Sequence, residues 1–184
     1  VDNTFGGGAG DFFIAKLNQS GNQLIWSTYY GSTGDEFAYA LLVDPSGNIY
    51  ISGEGASLPL FNKTGAYNSN TGNGAIVKFN NQLELDWATR FSGNYCYINS
   101  IAQDDNGNTY ITGKTYSGLP TVNPGNNAYF DNTINGSADA FISKFNSSDF
   151  LVWSTYFGGT WLDDGLGIAV KGNQKGLYEE LQVL

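Results

Sequence analysis

Residues 13–18 read Phe-Ile-Ala-Lys-Leu-Asn, and this stretch returns as Ala-Ile-Val-Lys-Phe-Asn at 75–80 and as Phe-Ile-Ser-Lys-Phe-Asn at 141–146. The three lysines are 62 and 66 residues apart. A period of this length is typical of repeat architectures, in which each repeat forms one unit of supersecondary structure that packs against the next. The chain is therefore expected to consist of units of about sixty residues.

Two further modules recur in the same order. A tryptophan, Trp26, Trp87 or Trp153, follows the lysine of each stretch by nine or ten residues and opens a strand-like run. The stretch Val-Asp-Pro-Ser-Gly-Asn-Ile-Tyr-Ile-Ser-Gly at 43–53 returns as Gln-Asp-Asp-Asn-Gly-Asn-Thr-Tyr-Ile-Thr-Gly at 103–113. Because whole modules keep their order and spacing, the repeat is a structural unit and not a chance likeness of short motifs.

The composition indicates strands. The chain has 25 glycines, 41% hydrophobic residues and 15% aromatic residues, which favours short strands joined by tight turns and is sufficient to bury a core. One period holds four strand-like runs separated by Gly, Asn, Asp or Pro, at 37–43, 48–54, 75–79 and 84–91. Four antiparallel strands of this kind form one blade of a β-propeller. The sequence therefore predicts an all-β chain that is a β-propeller segment with four-stranded antiparallel blades.

Residue size indicates which strand of each blade is innermost and therefore where each blade begins in the sequence. Small residues such as Ala38 and Ala40 suit the innermost strand, where blades crowd the axis, and the Trp-bearing run is then outermost. The repeat segment, 1–170, accordingly divides into an outer half-blade at 5–30, full blades at 37–91 and 98–157, and the start of the next blade at 165–170. An open arc of this kind exposes strand edges, so we expect further blades of the same chain, or identical chains, to complete the ring.

The modules together resemble the SBBP repeat family over most of 5–170. The resemblance lies in Asp-x-x-Gly-Asn-x-Tyr at 44–50 and 104–110, Asp-Ala-Phe at 139–141, Trp-Ser-Thr-Tyr at 153–156 and the glycine pair at 158–159. The family name stands for a seven-bladed β-propeller. Its members look like large exported or surface proteins of bacteria, mostly of unassigned activity. The resemblance therefore implies a propeller at an extracellular or cell-surface location in a bacterium.

Two stretches depart from the family pattern. The middle unit has Asn94-Tyr95-Cys96-Tyr97 where its neighbours have an acidic pair, so no role of that pair can be general. Cys96 is the single cysteine and is expected to fill core space. After Val170 the Asp-x-x-Gly-Asn module is replaced by a divergent tail, 171–184, which is typical of an artificial end, a frameshift or a non-repeat segment. The tail is expected to be poorly ordered, a substitute strand or a short helix.

The chain offers little conventional catalytic chemistry. It contains no histidine, which removes His-dependent triads and His-ligated zinc. The acidic pairs, Asp35 with Glu36 and Asp163 with Asp164, could act as general acid and base, as in glycosidases. Because they recur at equivalent repeat positions, we favour structural clamps that bind main-chain amides in the connections between blades. We predict no catalytic residue, no cofactor and no metal, and therefore no enzyme.

Two turns carry the same polar residues, namely Asp44, Gly47 and Asn48 in one and Asp104, Gly107 and Asn108 in the other. Spaced oxygens around a glycine faintly suggest a calcium loop, but the EF-hand pattern of Gly at position 6 and Glu at position 12 is missing. A tight hairpin turn with a left-handed glycine explains both stretches better.

The aromatic residues suggest two uses. Rings can stack on sugars, but Trp26, Trp87 and Trp153 recur at strand positions, which favours packing between blades. The connection from Glu54 to Gly74 is about twenty residues, longer than packing alone would need, and it lies on the face opposite the short turns. Loops on rigid scaffolds commonly carry function, so the candidate ligand-binding residues are Phe61, Tyr67, Tyr129 and Phe130. The repeated lysines are expected to keep their ammonium groups in water.

The net charge disfavours some classes of binding partner. Eight Lys and Arg against seventeen Asp and Glu give a net charge of -9, which disfavours nucleic acid and anionic membrane surfaces. No apolar run is long enough for membrane insertion. We predict a binding or adhesion scaffold whose ligand the sequence does not identify; a protein or a glycan is the candidate partner. The alternatives are a carbohydrate-active or quinone-type propeller enzyme and a purely structural spacer of a large surface protein.

Overall fold

A computed structural model describes residues 4–170 and the backbone of 181–183. These residues form twelve strands and no helix, which confirms the all-β fold class. The strands are β1 (Phe12–Leu17), β2 (Leu24–Tyr30), β3 (Glu36–Val43), β4 (Ile49–Gly55), β5 (Gly74–Phe79), β6 (Leu85–Phe91), β7 (Cys96–Gln103), β8 (Thr109–Thr115), β9 (Asp139–Phe145), β10 (Leu151–Phe157), β11 (Ile168–Val170) and β12 (Leu181–Val183). Nothing in the described part of the chain is a helix of the length and apolarity that crossing a membrane requires.

The strands form two four-stranded and two two-stranded antiparallel sheets. The four-stranded sheets have the orders β3-β4-β5-β6 and β7-β8-β9-β10, and the pairs are β1-β2 and β11-β12. The innermost strands β3, β7 and β11 lie side by side, so the Trp-bearing strands β6 and β10 are the outer edges. This is the four-stranded blade arrangement that the sequence predicts, and we call the two complete sheets blade 2 (36–91) and blade 3 (96–157).

The last strand accounts for part of the divergent tail. Leu181–Val183 pairs antiparallel with Ile168–Val170, so of the three alternatives for the tail the structure has a strand at these three residues. The predictions made for 171–180 and 184 lie outside the described residues.

The short turns fold as hairpin turns. Asp104 Oδ1 accepts the main-chain N–H groups of Asn106 at 2.9 Å and Asn108 at 2.8 Å, and Gly107 adopts φ +77°. Although burial acts in the opposite direction, the hydrogen bonds from Asn108 hold the pKa of Asp104 below its ordinary value. The Asp44 turn repeats this geometry, with Asn48 N–H donating to Asp44 at 2.8 Å.

The blades pack through aromatic rings. Phe145 of β9 receives the rings of Trp87 at 5.9 Å, Phe91 at 5.9 Å and Tyr67 at 6.1 Å, all from blade 2. Each of these contacts is edge-to-face, the arrangement that the ring quadrupoles favour. Phe145 is buried, so the aromatic contact forms the centre of the interface between the blades.

The same contact recurs one repeat earlier. Phe79 of β5 receives Trp26 at 6.2 Å and Tyr30 at 6.0 Å, both from the half-blade formed by β1 and β2. Phe79 and Phe145 occupy the same repeat position, so the phenylalanine that ends the third strand of each blade packs on rings of the preceding blade. Cys96 belongs to the buried core cluster at the junction of blades 2 and 3.

A buried ion pair reinforces the junction of blades 2 and 3. Lys78 Nζ lies 2.9 Å from Asp149 Oδ2 and 4.8 Å from the centre of the Tyr50 ring, and Asp149 is only 1% exposed. The prediction that the repeated lysines keep their ammonium groups in water is wrong for Lys78, because the turn after β9 brings a carboxylate 71 residues away onto it. Lys63 donates to the same carboxylate at 2.8 Å, and although burial acts against it, hydrogen bonds to Asp149 and Asp86 raise the pKa of Lys63.

Replacing one partner of this pair should cost more stability than replacing both. Asp149→Leu leaves a buried ammonium without its main partner, so the free energy of unfolding should fall by about 3 kcal/mol. The double variant Lys78→Met/Asp149→Leu should recover most of the loss, because apolar side chains can replace a buried ion pair at little cost. Leu is acceptable in this left-handed position, since Leu83 occupies it in blade 2. Urea titrations measure the coupling, and strictly additive losses would contradict it.

Candidate functional site

The long loops cover the outer edges of the blades. In blade 2, the main chains of Phe61 and Ala88 exchange two hydrogen bonds of 3.0 Å, and Arg90 N–H donates to the Ser69 carbonyl at 3.2 Å. Covering an edge strand blocks pairing with other chains. The interpretation that this loop is longer than packing requires is therefore wrong, because its length lets it run along β6.

Blade 3 repeats the edge cover. Val122 and Ser154 exchange two hydrogen bonds of 3.0 Å, and Tyr156 N–H donates to the Asp131 carbonyl at 3.0 Å. These residues occupy the repeat positions of the bonded residues in blade 2. The long connections therefore perform the same structural task in both blades.

The four predicted ligand-binding residues take different positions. Phe61 is exposed, but its main chain is fixed to β6. Tyr67 is half-buried in the junction, where its carbonyl accepts the Trp87 Nε1–H at 2.9 Å and its N–H donates to the Asp149 carbonyl at 2.9 Å. Tyr129 is exposed and contacts Phe157 at 5.4 Å, with half-buried Phe130 beside it.

Tyr129 occupies the repeat position of Tyr67, and Phe157 that of Phe91. Tyr67 and Phe91 pack on Phe145 of the blade that follows. Tyr129 and Phe157 are therefore placed to pack on a blade that follows blade 3. Packing accounts for the position of Tyr67, and a ligand role of the four residues stays a prediction.

The acidic pairs bind the connections between blades. Glu36 is fully buried and accepts Ser32 N–H at 2.9 Å and the Ser57 hydroxyl at 2.8 Å. Exposed Asp35 accepts Ala9 N–H at 2.6 Å. In the later unit, Asp163 accepts Gly159 N–H at 2.7 Å. Each of these carboxylates thus has hydrogen-bond donors within the fold.

A cluster near the axis was not found from the sequence. The innermost strands β3 and β7 carry a β-bulge at matching positions, between Ala38 and Ala40 and between Ile98 and Ser100. The extra residues are Tyr39 and Asn99. Because a bulge redirects a side chain and adds local twist, each of these residues reaches toward the next blade.

The two bulge residues make contacts at consecutive junctions. The Tyr39 ring lies 6.4 Å from the Tyr97 ring, and its hydroxyl donates to Glu54. Asn99 donates to Asp164 at 2.7 Å, and the Lys114 ammonium lies 2.7 Å from the same carboxylate. We call the residues Tyr39, Glu54, Tyr97, Asn99, Lys114 and Asp164 the axial cluster.

The protonation states of the axial cluster suit hydrogen bonding. Burial, followed by the hydrogen bond to Glu54, raises the pKa of Tyr39, and burial raises that of Tyr97. The hydrogen bond to Asp164 raises the pKa of Lys114. At neutral pH the phenols are therefore neutral and the ammonium is charged, and the cluster offers aromatic faces beside fixed polar groups.

Two exposed tyrosines form the rim of the axial cluster. They lie on the face of the blades that carries the long connections, which we call the long-loop face. Tyr95 is 60% exposed and Tyr116 is 40% exposed, and their rings meet edge-to-face at 5.9 Å. Tyr95 adopts φ +55°, a left-handed conformation that costs a bulky residue about 1–2 kcal/mol. In the sequence, the signal that could have pointed to this rim was the departure from the repeat at 94–97, where Tyr95 and Cys96 stand in place of an acidic pair.

Within residues 4–170, no group of three or more His, Cys, Asp or Glu side chains is arranged to hold a metal ion.

Comparison with known families agrees with the geometry. The SBBP model, described as a β-propeller repeat, matches residues 25–58 and 86–120. Two stretches of the chain therefore match the SBBP β-propeller repeat. Each SBBP match begins in the outer strand of one blade and ends just beyond the second strand of the next, so the family repeat spans a blade junction.

A distant relative is also a repeat protein. The chain is 25% identical over 194 residues to an uncharacterized WD repeat-containing protein of Acanthamoeba polyphaga mimivirus. The match covers 96% of this chain and 14% of the viral protein, so the chain spans about one seventh of that relative. The relative is viral, and the bacterial source stays a prediction.

Glu36 and Asp35 allow a matched test of the clamp. Glu36→Gln puts an amide where a buried carboxylate accepts several donors, and the free energy of unfolding should fall by about 2 kcal/mol. Asp35→Asn changes an exposed carboxylate and should cost less than about 0.5 kcal/mol. Chemical denaturation measures the free energy of unfolding of both variants. Similar losses of this free energy in the two would contradict the role of Glu36 as a buried clamp.

Proposed function

We propose that this propeller scaffold binds its ligand outside a cell or on its surface, through the rim tyrosines Tyr95 and Tyr116 and the axial cluster behind them. The observation that carries the proposal is the exposed edge-to-face pair on the long-loop face. An isolated exposed ring needs no explanation, whereas here two exposed rings pair beside a polar cluster.

Tyrosine is well suited to such a contact. Its ring gives a large contact area with few rotatable bonds, and its hydroxyl forms hydrogen bonds. The strands hold the rim rigidly, because Tyr95 enters β7 directly and Tyr116 follows β8 directly. A rigid platform loses little conformational entropy on binding.

The axial cluster supports a polar and uncharged ligand. The Lys114 and Asp164 charges neutralise one another at 2.7 Å, and Glu54 accepts from Tyr39. A glycan or a polar protein loop would find ring faces and hydrogen-bond partners there. The glycan and the protein loop are both candidate ligands, and binding screens distinguish between them.

Binding is favoured over catalysis by the same contacts. The carboxylates of Glu54 and Asp164 each have a donor within the cluster, whereas a general acid and base would face the substrate. The extracellular or surface location is supported by the family resemblance. The net charge of -9 supports a soluble surface that repels anionic polymers.

Removing the rim rings should weaken ligand capture. The full chain is screened on a glycan array and in pull-downs from medium and cell-surface extracts. Tyr95→Ala/Tyr116→Ala should weaken any captured ligand at least tenfold, about 1.4 kcal/mol, because two anchoring rings are lost. Phe150→Ala is the matched control, since Phe150 is 54% exposed in a turn on the opposite face. If the rim variant binds as well as the control, the rim is not the site. If nothing binds in either screen, the structural spacer is the better description.

A further inference from the structure

A second lysine and a second carboxylate surround the buried pair of Lys78 and Asp149. Lys78 Nζ lies 3.1 Å from Asp149 Oδ1 and 2.9 Å from Asp149 Oδ2, so it contacts both oxygens of that carboxylate. Asp86 Oδ2 lies 3.5 Å from the same nitrogen. Lys63 Nζ lies 2.8 Å from each of Asp86 Oδ2 and Asp149 Oδ2. Two amines and two carboxyl groups thus meet at the junction of blades 2 and 3.

Only one amine and one carboxyl group of this set are shielded from water. The side chains of Lys78 and Asp149 are 7% and 1% exposed, whereas those of Lys63 and Asp86 are 29% and 31% exposed. Buried ions lose most of their hydration, and a neutral product would not bear that cost. Exclusion of water also protects such a product from hydrolysis.

We propose that Lys78 and Asp149 condense to an amide, which is a covalent cross-link between blades 2 and 3. Lys78 Nζ forms a bond to Asp149 Cγ, and the bond from Cγ to one carboxylate oxygen breaks. Of the three hydrogens of the ammonium group, one stays on the amide nitrogen and two leave with that oxygen as water. All atoms of both products come from the two side chains, so the step requires no further reactant.

Asp86 is placed to carry the proton. The nitrogen of Lys78 must lose a proton before it can attack, and Asp86 Oδ2 at 3.5 Å is an acceptor outside the reacting carboxylate. Asp86 then gives this proton to the oxygen that leaves. A carboxyl group that takes up and returns a proton in this way acts as general base and general acid.

Lys63 and Tyr50 stabilise the negative charge that attack places on Asp149. Lys63 Nζ lies 2.8 Å from Oδ2, and the Tyr50 hydroxyl donates to Oδ1 at 3.4 Å. Although burial acts against it, hydrogen bonds to Asp149 and Asp86 raise the pKa of Lys63, so this amine stays charged at neutral pH. Either oxygen of Asp149 therefore has a donor when it becomes the oxyanion. The same donor serves the amide carbonyl of the product.

The cross-link is specific to this junction. One repeat earlier, Lys16 has Ile25 and Leu83 at the positions that correspond to Asp86 and Asp149. Both are apolar, so that junction lacks the carboxyl group to be attacked and the proton carrier. The amide would join residues 71 positions apart in the sequence and constrain the unfolded chain as a disulfide does. It forms independently of any ligand at the rim tyrosines.

Mass spectrometry of the intact full chain under denaturing conditions tests the condensation. After incubation of the folded chain at neutral pH, its mass should be lower by one water. Trypsin should then release a branched fragment that joins 64–90 to 145–171, because Lys78 is no longer a cleavage site. A succinimide also loses water, but it leaves these two stretches as separate fragments.

Three variants make the test specific. Lys78→Met should keep the full mass, because the attacking amine is lost. Asp86→Asn keeps the pair of Lys78 and Asp149 and changes a half-buried residue, so it should fold. It should condense about a hundredfold more slowly, because an amide cannot carry the proton. Lys144→Met changes the corresponding lysine of blade 3 and should condense as the unchanged chain does. Far-UV circular dichroism checks that each variant folds.

The full mass after prolonged incubation of the folded chain would overturn the proposal. Loss of water with normal cleavage after Lys78 would also overturn it, and condensation of Asp86→Asn at the unchanged rate would overturn the role of Asp86. Until they condense, Lys78 and Asp149 form the ion pair described above. The urea titrations of that pair are therefore made in the Asp86→Asn background.

Discussion

A four-stranded blade has two faces and can bury neither alone, so the contact between successive blades is the constraint on which this structure depends. It is made by one phenylalanine per blade, Phe79 or Phe145, set into rings of the blade before it. Burial of a phenylalanine side chain contributes about 1.5–3 kcal/mol, and each edge-to-face pair adds about 0.5–1.5 kcal/mol. Because the contact repeats along the chain, stability is expected to be a sum over blades and their junctions.

The stacking also decides where function can lie. It brings the innermost strands together, so the bulges at Tyr39 and Asn99 meet the next blade and form the axial cluster. The long loops are committed to covering the outer strands, and Tyr95 and Tyr116 form an exposed pair of rings on the same face.

The strands and their order could be predicted because their causes are local. The turn at Asp104 is built by hydrogen bonds within five residues, and the period of the modules places each blade beside its neighbour. Contacts between blades were harder to predict. The partner of Lys78, Asp149, lies 71 residues away. In blade 2 the repeat position of Asp149 holds Leu83, so the repeat period does not predict the ion pair. The bulge at Tyr39 leaves no mark in the spacing of the modules.

Native-state hydrogen exchange on Phe145→Ala is the most direct test of the stacking. If blades depend on one another through this ring, the amides of β6 in blade 2 should lose protection together with those of β9. The loss should amount to about 3–5 kcal/mol, the usual cost of truncating a buried phenylalanine. A loss of protection confined to blade 3, with β6 as protected as before, would show that each blade is stable by itself and would contradict the account.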